Sequence, residues 1–298
     1  MKLVITGSLG HISKPLATIL IQQGHTVTVI SSKPEKQKEI EALGARAAIG
    51  RLEDTSFLTA TFTGADAVYC MLPPPDLFNH TLDIMEYHRT ISNSYAQAIK
   101  VSGVRRVIPL SSIGAHLDKG TGFILSVNYL ENKLKEIPGI SITYMRPTSF
   151  YYNLFNFLTV IRHAGNIISN YGGADMVSWV SPIDIAAAVA EELVTPATGI
   201  KVRYVVSDEV SCNEVARILG AAIGKPGLQW LTISNEELQS ELEAAGIAPQ
   251  AAAGLVELNA SIHSGELLRD YFIEKPPVTG KIKMTDFARD FAAAYKQN

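Results

Sequence analysis

Cysteine is scarce in this sequence: only two of the 298 residues are cysteines, Cys70 and Cys212. Two cysteines cannot build the disulfide framework that stabilises many small secreted proteins. The sequence alone leaves open whether the two side chains meet in space. We therefore expect a protein of a reducing compartment, and we predict a cytoplasmic location.

Basic residues are not in excess, since 26 lysines and arginines stand against 29 acidic residues, for a formal net charge of −3. A general nucleic-acid binder usually presents a basic face, so we predict no nucleic-acid partner. Long apolar runs are also missing, because no uncharged stretch approaches the roughly 18 to 20 residues needed to cross a bilayer. The N-terminal apolar run of Leu3 to Ile5 is too short for a signal peptide, and we predict no membrane association.

The spacings typical of metal sites and of serine hydrolases are absent as well. The seven histidines form no H-x-x-x-H pattern and no pattern with paired cysteines, so we predict no metal site. No serine lies in a G-x-S-x-G elbow, which argues against a hydrolase. What the chain does have is 47% hydrophobic residues, which is enough to bury a sizeable core.

Strand-like and helix-like segments alternate through the first half of the chain. Short apolar or β-branched runs predict strands at 3–6, 25–32, 45–49, 65–72, 104–111 and 140–145. Helical patterns fill the intervals, at 12–23, 34–43, 55–62, 81–102 and 121–136. This alternation indicates βαβ units with right-handed crossovers. The predicted fold class is α/β, with a doubly wound parallel sheet.

The regular alternation of strand and helix patterns ends after Pro147. Aromatic residues crowd 150–157, a strand is predicted at 201–206, and helices are predicted at 182–194, 212–223, 234–245, 249–264 and 285–295. We predict a sheet domain at residues 1–150, to which part of 177–207 returns. Residues 151–298 are predicted to form a smaller, mostly helical lobe that holds the substrate.

A glycine turn follows the first predicted strand and opens the first predicted helix. It reads Gly7-Ser8-Leu9-Gly10-His11-Ile12-Ser13, a G-x-x-G-x-x-S pattern. Glycines here permit a tight turn and let backbone N–H groups approach a pyrophosphate at the positive end of a helix. The alternative is a purely steric turn, but its position in a βαβ unit favours a dinucleotide. The sheet domain is thus predicted to be a Rossmann domain.

The end of the second strand bears on which dinucleotide is bound. An NAD site usually has an acidic residue there for the ribose 2′-hydroxyl, whereas this chain has Ser31, Ser32 and Lys33. Two hydroxyls and an ammonium group suit a 2′-phosphate, which a carboxylate would repel. We predict NADP(H) in preference to NAD(H). The alternative is that Lys33 is an ordinary solvated lysine.

Taken together, these segments resemble the NmrA-like group of atypical short-chain dehydrogenase/reductases. The resemblance covers nearly the whole chain, and its strength lies in the order and spacing of motifs that are each modest alone. They are GSLGHIS, GRLEDTSFLTATFTGADAVYCML, VRRVIPLSSIGAH, ENKL followed by ISITYMRPTSFYYNL, SWVSPIDIAAAV, and NEVARILGAAIGKP. The family implies a Rossmann domain with a substrate cleft beneath a small C-terminal lobe. Its members include NADPH-dependent quinone-type reductases and regulators that sense the dinucleotide without turning it over.

The resemblance also implies roles for individual positions. The pyrophosphate would be held by Gly7, Ser8, Leu9, Gly10, His11 and Ile12, and the adenosine phosphate by Ser31, Ser32 and Lys33. Leu72 and Pro73 would border the nicotinamide ribose, and Ser111 would lie under the nicotinamide. One departure concerns Arg51, which stands where the family often has Asp near the adenine. Arg51 would stack on the adenine or reach the 2′-phosphate, or else it is a surface arginine.

A Tyr-x-x-x-Lys string, the acid–base pair of ordinary superfamily members, occurs at Tyr129 and Lys133. In extended members of the superfamily the tyrosine lies well over 20 residues before the Arg-Pro pair that ends the next strand. Tyr129 lies only 17 residues before Arg146, whereas position 123 lies 23 residues before it, so the spacing argues against a catalytic role for Tyr129. The family's dyad positions then correspond to Phe123 and Val127, which cannot exchange protons. We weigh Tyr129 and Lys133 as a catalytic pair against a coincidental pair on one helix face, and favour the latter.

The resemblance also implies a substrate side. By family position Phe150, Tyr151, Tyr152 and Asn153 would line the cleft together with Phe123, with core packing as the alternative for two or three of the aromatic residues. The predicted function is an NADPH-dependent oxidoreductase that passes hydride to a small planar quinone- or carbonyl-like acceptor. The alternative is an NADP(H)-sensing protein without turnover. The expected partner is a small-molecule substrate, with a homodimer as a possible assembly.

Overall fold

A computed structural model describes residues 1–297 and is built around a seven-stranded sheet in which every neighbouring pair of strands is parallel. The strand order is β10-β6-β5-β4-β1-β2-β3. The strands are β1 (Lys2–Ile5), β2 (Thr26–Ser31), β3 (Arg46–Ile49), β4 (Ala67–Cys70), β5 (Arg106–Pro109), β6 (Ser141–Pro147) and β10 (Ile200–Val205).

Helices cover both faces of this sheet, which is why its central strands are apolar on both sides. One face packs against α1 (Ser13–Gln22) and α7 (Pro182–Val194), which contact each other. The other face packs against α3 (Thr55–Phe62), α4 (Ile84–Ser102) and α5 (Ile124–Lys135). A short 3-10 turn at Pro34–Lys36 leads into α2 (Gln37–Ala42), which lies beside β3.

The strand order reverses between β1 and β4. From β1 the chain builds outward through β2 and β3, and then crosses back to place β4 on the other side of β1. The loops that follow β1 and β4 therefore leave the same sheet edge in opposite directions. In open α/β sheets, ligands bind in the crevice that this reversal creates.

The C-terminal half has its own aromatic core, formed around Tyr151, Trp179, Phe287 and Phe291. Its small strands form a three-stranded sheet, β11-β9-β7, and a two-stranded sheet, β12-β8. They are β7 (Ser149–Phe150), β8 (Ile167–Ser169), β9 (Met176–Val180), β11 (Asp208–Ser211) and β12 (Trp230–Thr232). The remaining helices are a 3-10 helix at Tyr151–Phe157, α6 (Leu158–Ala164), α8 (Cys212–Ala222), α9 (Asn235–Ala244), α10 (Pro249–His263), α11 (Arg269–Glu274) and α12 (Met284–Lys296).

The predicted fold class is confirmed by this arrangement. Two predicted helices, 55–62 and 182–194, match α3 and α7 to the residue. The five small strands of the C-terminal half were not predicted, because segments of two to five residues are too short to show an alternating pattern. Within 177–207, β10 joins the large sheet and β9 pairs with β7 and β11. The domain boundary at residue 150 stays a prediction.

Two findings bear on the compositional predictions. Cys70 and Cys212 are buried free thiols, one in the sheet domain and one in the core of the C-terminal half. Among residues 1–297, no helix is both long and apolar enough to cross a membrane.

Candidate functional site

The glycine turn lies at the reversal of strand order, directly after β1. Gly7 has φ +89° and Ser8 has φ +53°, so two consecutive residues adopt left-handed backbone. The turn closes through a hydrogen bond from the Gly10 N–H to the Gly7 carbonyl, at 3.1 Å. A Cβ on Gly7 would collide with Met71 and would lie 2.6 Å from Ser13 Oγ. Only glycine fits at position 7, whether or not a ligand is bound.

The start of α1 differs from the starts of several other helices. Side chains cap five of those helices: Asp54 for α3, Asp83 for α4, Ser181 for α7, Ser211 for α8 and Ser234 for α9. Over residues 1–297 no side chain caps α1, and its first turn contains no acidic residue. Ser13 instead donates its hydroxyl to the Thr6 carbonyl at 2.8 Å. The Lys14 N–H donates to the Gly10 carbonyl at 3.0 Å and Pro15 has no N–H, so α1 offers an anion its dipole together with the backbone N–H groups that precede Lys14.

The end of β2 places hydroxyl and cationic groups beside the glycine turn. Ser31 is buried, and its hydroxyl accepts from Ser8 Oγ at 3.0 Å and from the Lys33 N–H at 3.2 Å. Ser31 therefore lies beneath the surface, and its hydrogen bond with Ser8 stabilises the glycine turn. Ser32 and Lys33 are exposed. Of the three residues predicted to contact an adenosine phosphate, only these two are open to solvent, and their contact with a phosphate stays a prediction.

Arg51 lies next to this group, because the Gly50 N–H donates to the Ser31 carbonyl at 3.0 Å and so ties the end of β3 to the end of β2. The side chain of Arg51 is 76% exposed, and its guanidinium lies 2.9 Å from a Glu53 carboxylate oxygen. The hydrogen bond and the charge of Glu53 raise the pKa of Arg51 above its ordinary value. To reach a phosphate near Lys33, the Arg51 guanidinium would have to break its ion pair with Glu53 or contact both groups at once.

The loop after β4 runs alongside the glycine turn. The Met71 N–H donates to Thr6 Oγ1 at 2.9 Å, which ties the two loops together. Leu72 and Pro73 are partly exposed at the crevice. They lie where the family resemblance places the nicotinamide ribose, and that role stays a prediction.

The serine after β5 belongs to a buried polar network. Ser111 donates its hydroxyl to Glu131 on α5, and both Nε and Nη2 of Arg146 contact the same carboxylate, at 3.0 and 2.8 Å. Burial alone would lower the pKa of Arg146, but the hydrogen bonds and charge of Glu131 raise it above its ordinary value. The hydroxyl hydrogen of Ser111 is thus already donated to Glu131, and the residue is only 5% exposed. It can shape the floor of a nicotinamide site more readily than it can donate to a ligand.

Tyr129 and Lys133 lie on the outer side of α5. The Tyr129 hydroxyl donates to Asn93 Oδ1 at 3.0 Å, and the Lys133 ammonium contacts Glu136 at 3.1 Å. Glu131 points inward to Ser111. Tyr129 precedes Glu131 by two residues, and at about 100° per residue its side chain leaves the helix about 200° away from that of Glu131. Both side chains are thus engaged by partners outside the buried Ser111–Glu131 network, and the interpretation as a coincidental pair stays a prediction.

The start of α5 is pressed against α10. A Cβ on Gly122 would overlap the Gly254 carbonyl, and a Cβ on Gly254 would lie 3.0 Å from the Phe123 ring. The Gly122 N–H also donates to a Glu257 carboxylate oxygen, at 3.0 Å. Phe123 thus lies at a contact between the sheet domain and the C-terminal half, beside a groove.

This groove has a volume of about 480 Å³ and runs between α4, α5 and α10. Its walls are mostly apolar, with Gln250 and Glu257 as the polar exceptions. Its other lining residues are Ile84, Met85, Gly122, Phe123, Leu125, Ala253 and Gly254. The groove is open to solvent, and its volume lies within the range of small-molecule sites.

The aromatic segment after Pro147 divides between core and crevice. Tyr151 is 1% exposed, stacks on Phe287 and Trp179, and donates its hydroxyl to the Ile282 carbonyl. It therefore has no surface to offer a substrate, and core packing explains it. Tyr152 instead stacks on His11 of the glycine turn, with ring centroids 5.0 Å apart. Asn153 is exposed on the same 3-10 helix.

Tyr152 is the aromatic residue that connects this segment to the crevice. Its ring also lies 5.1 Å from Phe150. Burial raises the pKa of Tyr152 to about 12, so its hydroxyl stays protonated near neutral pH. Over residues 1–297, no group of three or more His, Cys, Asp or Glu side chains is placed to hold a metal ion.

Comparison with known proteins identifies the family. The model of the NmrA-like family matches residues 1–259. The chain belongs to the NmrA-like family. An NAD(P)H azoreductase from Xenophilus azovorans is 25% identical over 297 residues, covering 98% of this chain and 99% of that protein.

Solved structures of similar fold cover nearly the whole NmrA-like chain. A triphenylmethane reductase from Citrobacter sp. superposes with a TM-score of 0.81 at 17% identity, covering 98% of this chain and 100% of that one. An NADPH-dependent quinone oxidoreductase from Escherichia coli, solved with NADPH, gives 0.80 at 18% identity, covering 97% and 99%. At this level of identity the likeness establishes the fold.

Tyr152 was predicted to line the cleft together with Phe150, Tyr151 and Asn153, but the run of aromatic residues does not show which ring faces the core. Two other residues of the site were not predicted from the sequence. Glu257 on α10 and His88 on α4 carry no local motif. Their places become evident only once α4, α5 and α10 are packed together.

Proposed function

We propose that this NmrA-like protein is an NAD(P)H-dependent oxidoreductase that prefers NADPH and passes hydride to a small planar quinone- or carbonyl-like acceptor. The proposal brings together a dinucleotide site at the strand reversal and an apolar groove at the start of α5. The names of the relatives, an NAD(P)H azoreductase and an NADPH-dependent quinone oxidoreductase, support the same class of reaction.

The dinucleotide would be held mainly by backbone. The N–H groups of the glycine turn and the uncapped start of α1 suit a pyrophosphate, with His11 and Tyr152 stacked over the turn. Ser32 and Lys33, with Arg51 beside them, suit the 2′-phosphate of NADPH, and the end of β2 carries no carboxylate to repel it. When bound, NADPH supplies the hydride.

The acceptor would occupy the groove between α4, α5 and α10. Phe123 offers an aromatic face to a planar ring, and Met85 is a flexible side chain that can adapt to different acceptors. Glu257 is the acidic member of the lining, and the lining contains no lysine or arginine. The groove should therefore favour neutral or cationic acceptors over anionic ones.

The proton needed with the hydride would come from water. A quinone that gains one hydride and one proton becomes a hydroquinone, so the balance needs no further reactant. Phe123 and Val127 stand at the positions of the family's acid–base pair, and neither can supply a proton. The chain's contribution is then to bind and orient the two reactants and to exclude competing reactions.

The observation that carries the proposal is the glycine turn, with its two left-handed residues and the uncapped helix behind it. The test is consumption of NADPH by the purified protein with a panel of quinones, aldehydes and imines. We expect at least one quinone to accelerate NADPH oxidation well above the protein-free rate. Tight NADPH binding without acceleration by any acceptor would contradict catalysis and favour the dinucleotide-sensing alternative. Absence of NADPH binding would contradict both.

A further inference from the structure

A buried histidine connects the loop after β4 to helix α5. His88 lies on α4 and is 4% exposed. Its Nδ1 is 2.9 Å from Ser126 Oγ on α5, and its Nε2 is 3.0 Å from the Pro73 carbonyl oxygen. The function proposed above gives this residue no role.

The Pro73 carbonyl fixes which ring nitrogen of neutral His88 carries the hydrogen. The Pro73 carbonyl can only accept, so Nε2 carries the hydrogen and donates it. In the neutral ring Nδ1 then holds the lone pair and can accept the single hydroxyl hydrogen of Ser126, for which the Met85 sulfur at 3.3 Å is the competing acceptor. Burial lowers the pKa of His88, while the hydrogen bond to Pro73 acts in the opposite direction. His88 is therefore held as a neutral ring with one defined donor.

The carbonyl that His88 holds belongs to the loop beside the glycine turn. α4 fixes this loop twice, because Tyr95 donates to the Met71 carbonyl at 2.9 Å and His88 donates to the Pro73 carbonyl. Met71 in turn packs where a Cβ on Gly7 would stand. The position of Pro73 relative to the glycine turn thus depends on how α4 holds the loop.

The other hydrogen bond of His88 goes to Ser126, a buried residue behind the wall of the proposed acceptor groove. Ser126 lies one residue beyond Leu125 and three beyond Phe123, which both line the groove. Met85, another lining residue, has its sulfur 3.3 Å from Ser126 Oγ. His88 therefore stands between the loop assigned to the dinucleotide and the wall assigned to the acceptor.

We propose that His88 is a positioning residue for the dinucleotide: by donating from Nε2 to the Pro73 carbonyl, it sets the loop that borders the nicotinamide ribose against α5. This inference rests on the proposed function, because it assumes that NADPH binds along this loop. His88 does not touch the reactants. It acts through Pro73 on one side and Ser126 on the other.

Two amide variants separate the two hydrogen bonds. The amide of Gln reaches about as far as Nε2, so His88→Gln retains a donor for Pro73, whereas the shorter His88→Asn retains only a partner for Ser126. We expect His88→Asn to raise the Kd for NADPH about fivefold, the effect of one lost hydrogen bond, with His88→Gln within about twofold of wild type. The fluorescence emission of bound NADPH should change in the Asn variant and be restored in the Gln variant. The melting temperature of each variant reports stability separately.

The outcomes distinguish the inference from the proposed function. Equal Kd values in both variants and the wild type would overturn the positioning role. So would equal weakening by both variants, since that would mark a purely structural residue. If His88→Asn does not fold, Ser126→Ala decides, because it removes the anchor at Nδ1 and should weaken NADPH about twofold to threefold. An unchanged Kd there would also overturn the inference. Failure of the wild-type protein to bind NADPH would instead contradict the proposed function.

Discussion

The proposed site has a dinucleotide side and an acceptor side, which are built from different kinds of structure. The dinucleotide side consists of loops that follow β1, β2 and β4, and it offers mainly backbone groups held at the sheet's edge. The acceptor side consists of side chains from α4, α5 and α10, which are more than 100 residues apart at their extremes. One side depends on local turn geometry, and the other depends on how distant helices pack. The two sides should therefore respond differently to substitution.

The largest difference in the effect of substitution on stability is expected between the neighbouring residues Tyr151 and Tyr152. Tyr151→Ala removes a buried core ring and should lower the free energy of unfolding by about 3 to 5 kcal/mol. Tyr152→Ala removes a half-buried ring that stacks on His11, and it should cost less than about 1.5 kcal/mol while raising the Kd for NADPH about threefold. Denaturant unfolding and NADPH titration measure the two effects. Equal loss of stability in both variants would break the division between core and crevice.

A glycine pair tests the dinucleotide side. Gly7→Ala should raise the Kd for NADPH at least about tenfold, because the new Cβ collides with Met71 and crowds Ser13. Gly24→Ala is the matched control, since Gly24 has φ +83° but nothing within 4 Å of its Cβ position. Both variants carry the left-handed penalty of about 1 to 2 kcal/mol in stability. A loss of NADPH affinity in the Gly24 variant as large as in the Gly7 variant would contradict the assignment.

The end of β2 tests the preference for NADPH. Lys33→Glu should lower the ratio of NADPH to NADH affinity by about tenfold, because a carboxylate repels the 2′-phosphate. Lys38→Glu, an exposed change of the same charge on the neighbouring helix, should leave the ratio within about twofold. Titration with both dinucleotides gives the ratio. An unchanged ratio in the Lys33 variant would remove Lys33 from the site.

A smaller effect is expected on the acceptor side. Glu257→Gln keeps an oxygen for the Gly122 N–H but removes the negative charge of the groove. It should raise kcat/KM for a sulfonated naphthoquinone, relative to the neutral naphthoquinone, by about twofold to threefold. Glu243→Gln on α9 is the control for a change of net charge. An equal shift in both variants would place the acceptor elsewhere.

The smallest effect is expected at the Tyr-x-x-x-Lys string. Tyr129→Phe and Lys133→Met should leave kcat within about twofold, because both side chains are bound on the outer side of α5. Steady-state rates with a quinone provide the check. A fall of two orders of magnitude in either variant would restore the pair as a catalytic dyad.

The sequence predicted the two sides unequally. Gly7, Ser32 and Lys33 could be placed at strand ends because strand, turn and helix follow one another within a short stretch of chain. Ser31 was predicted to contact a phosphate, but a run of two serines does not indicate which hydroxyl points inward. Tyr151 and Tyr152 could not be told apart for a similar reason. His88 and Glu257 depend on contacts across 38 and 135 residues, which local periodicity does not contain.

The proposed function requires that a dinucleotide held in one orientation at the glycine turn passes hydride to an acceptor in the groove between α4, α5 and α10. The direct measurement is the mass of the NADP⁺ formed from NADPH that carries deuterium in either the 4R or the 4S position, with a quinone as acceptor. A dinucleotide held in one orientation should lose deuterium completely from one labelled form and retain it completely in the other. Mixed loss from both forms, as in an unguided reaction, would contradict the claim.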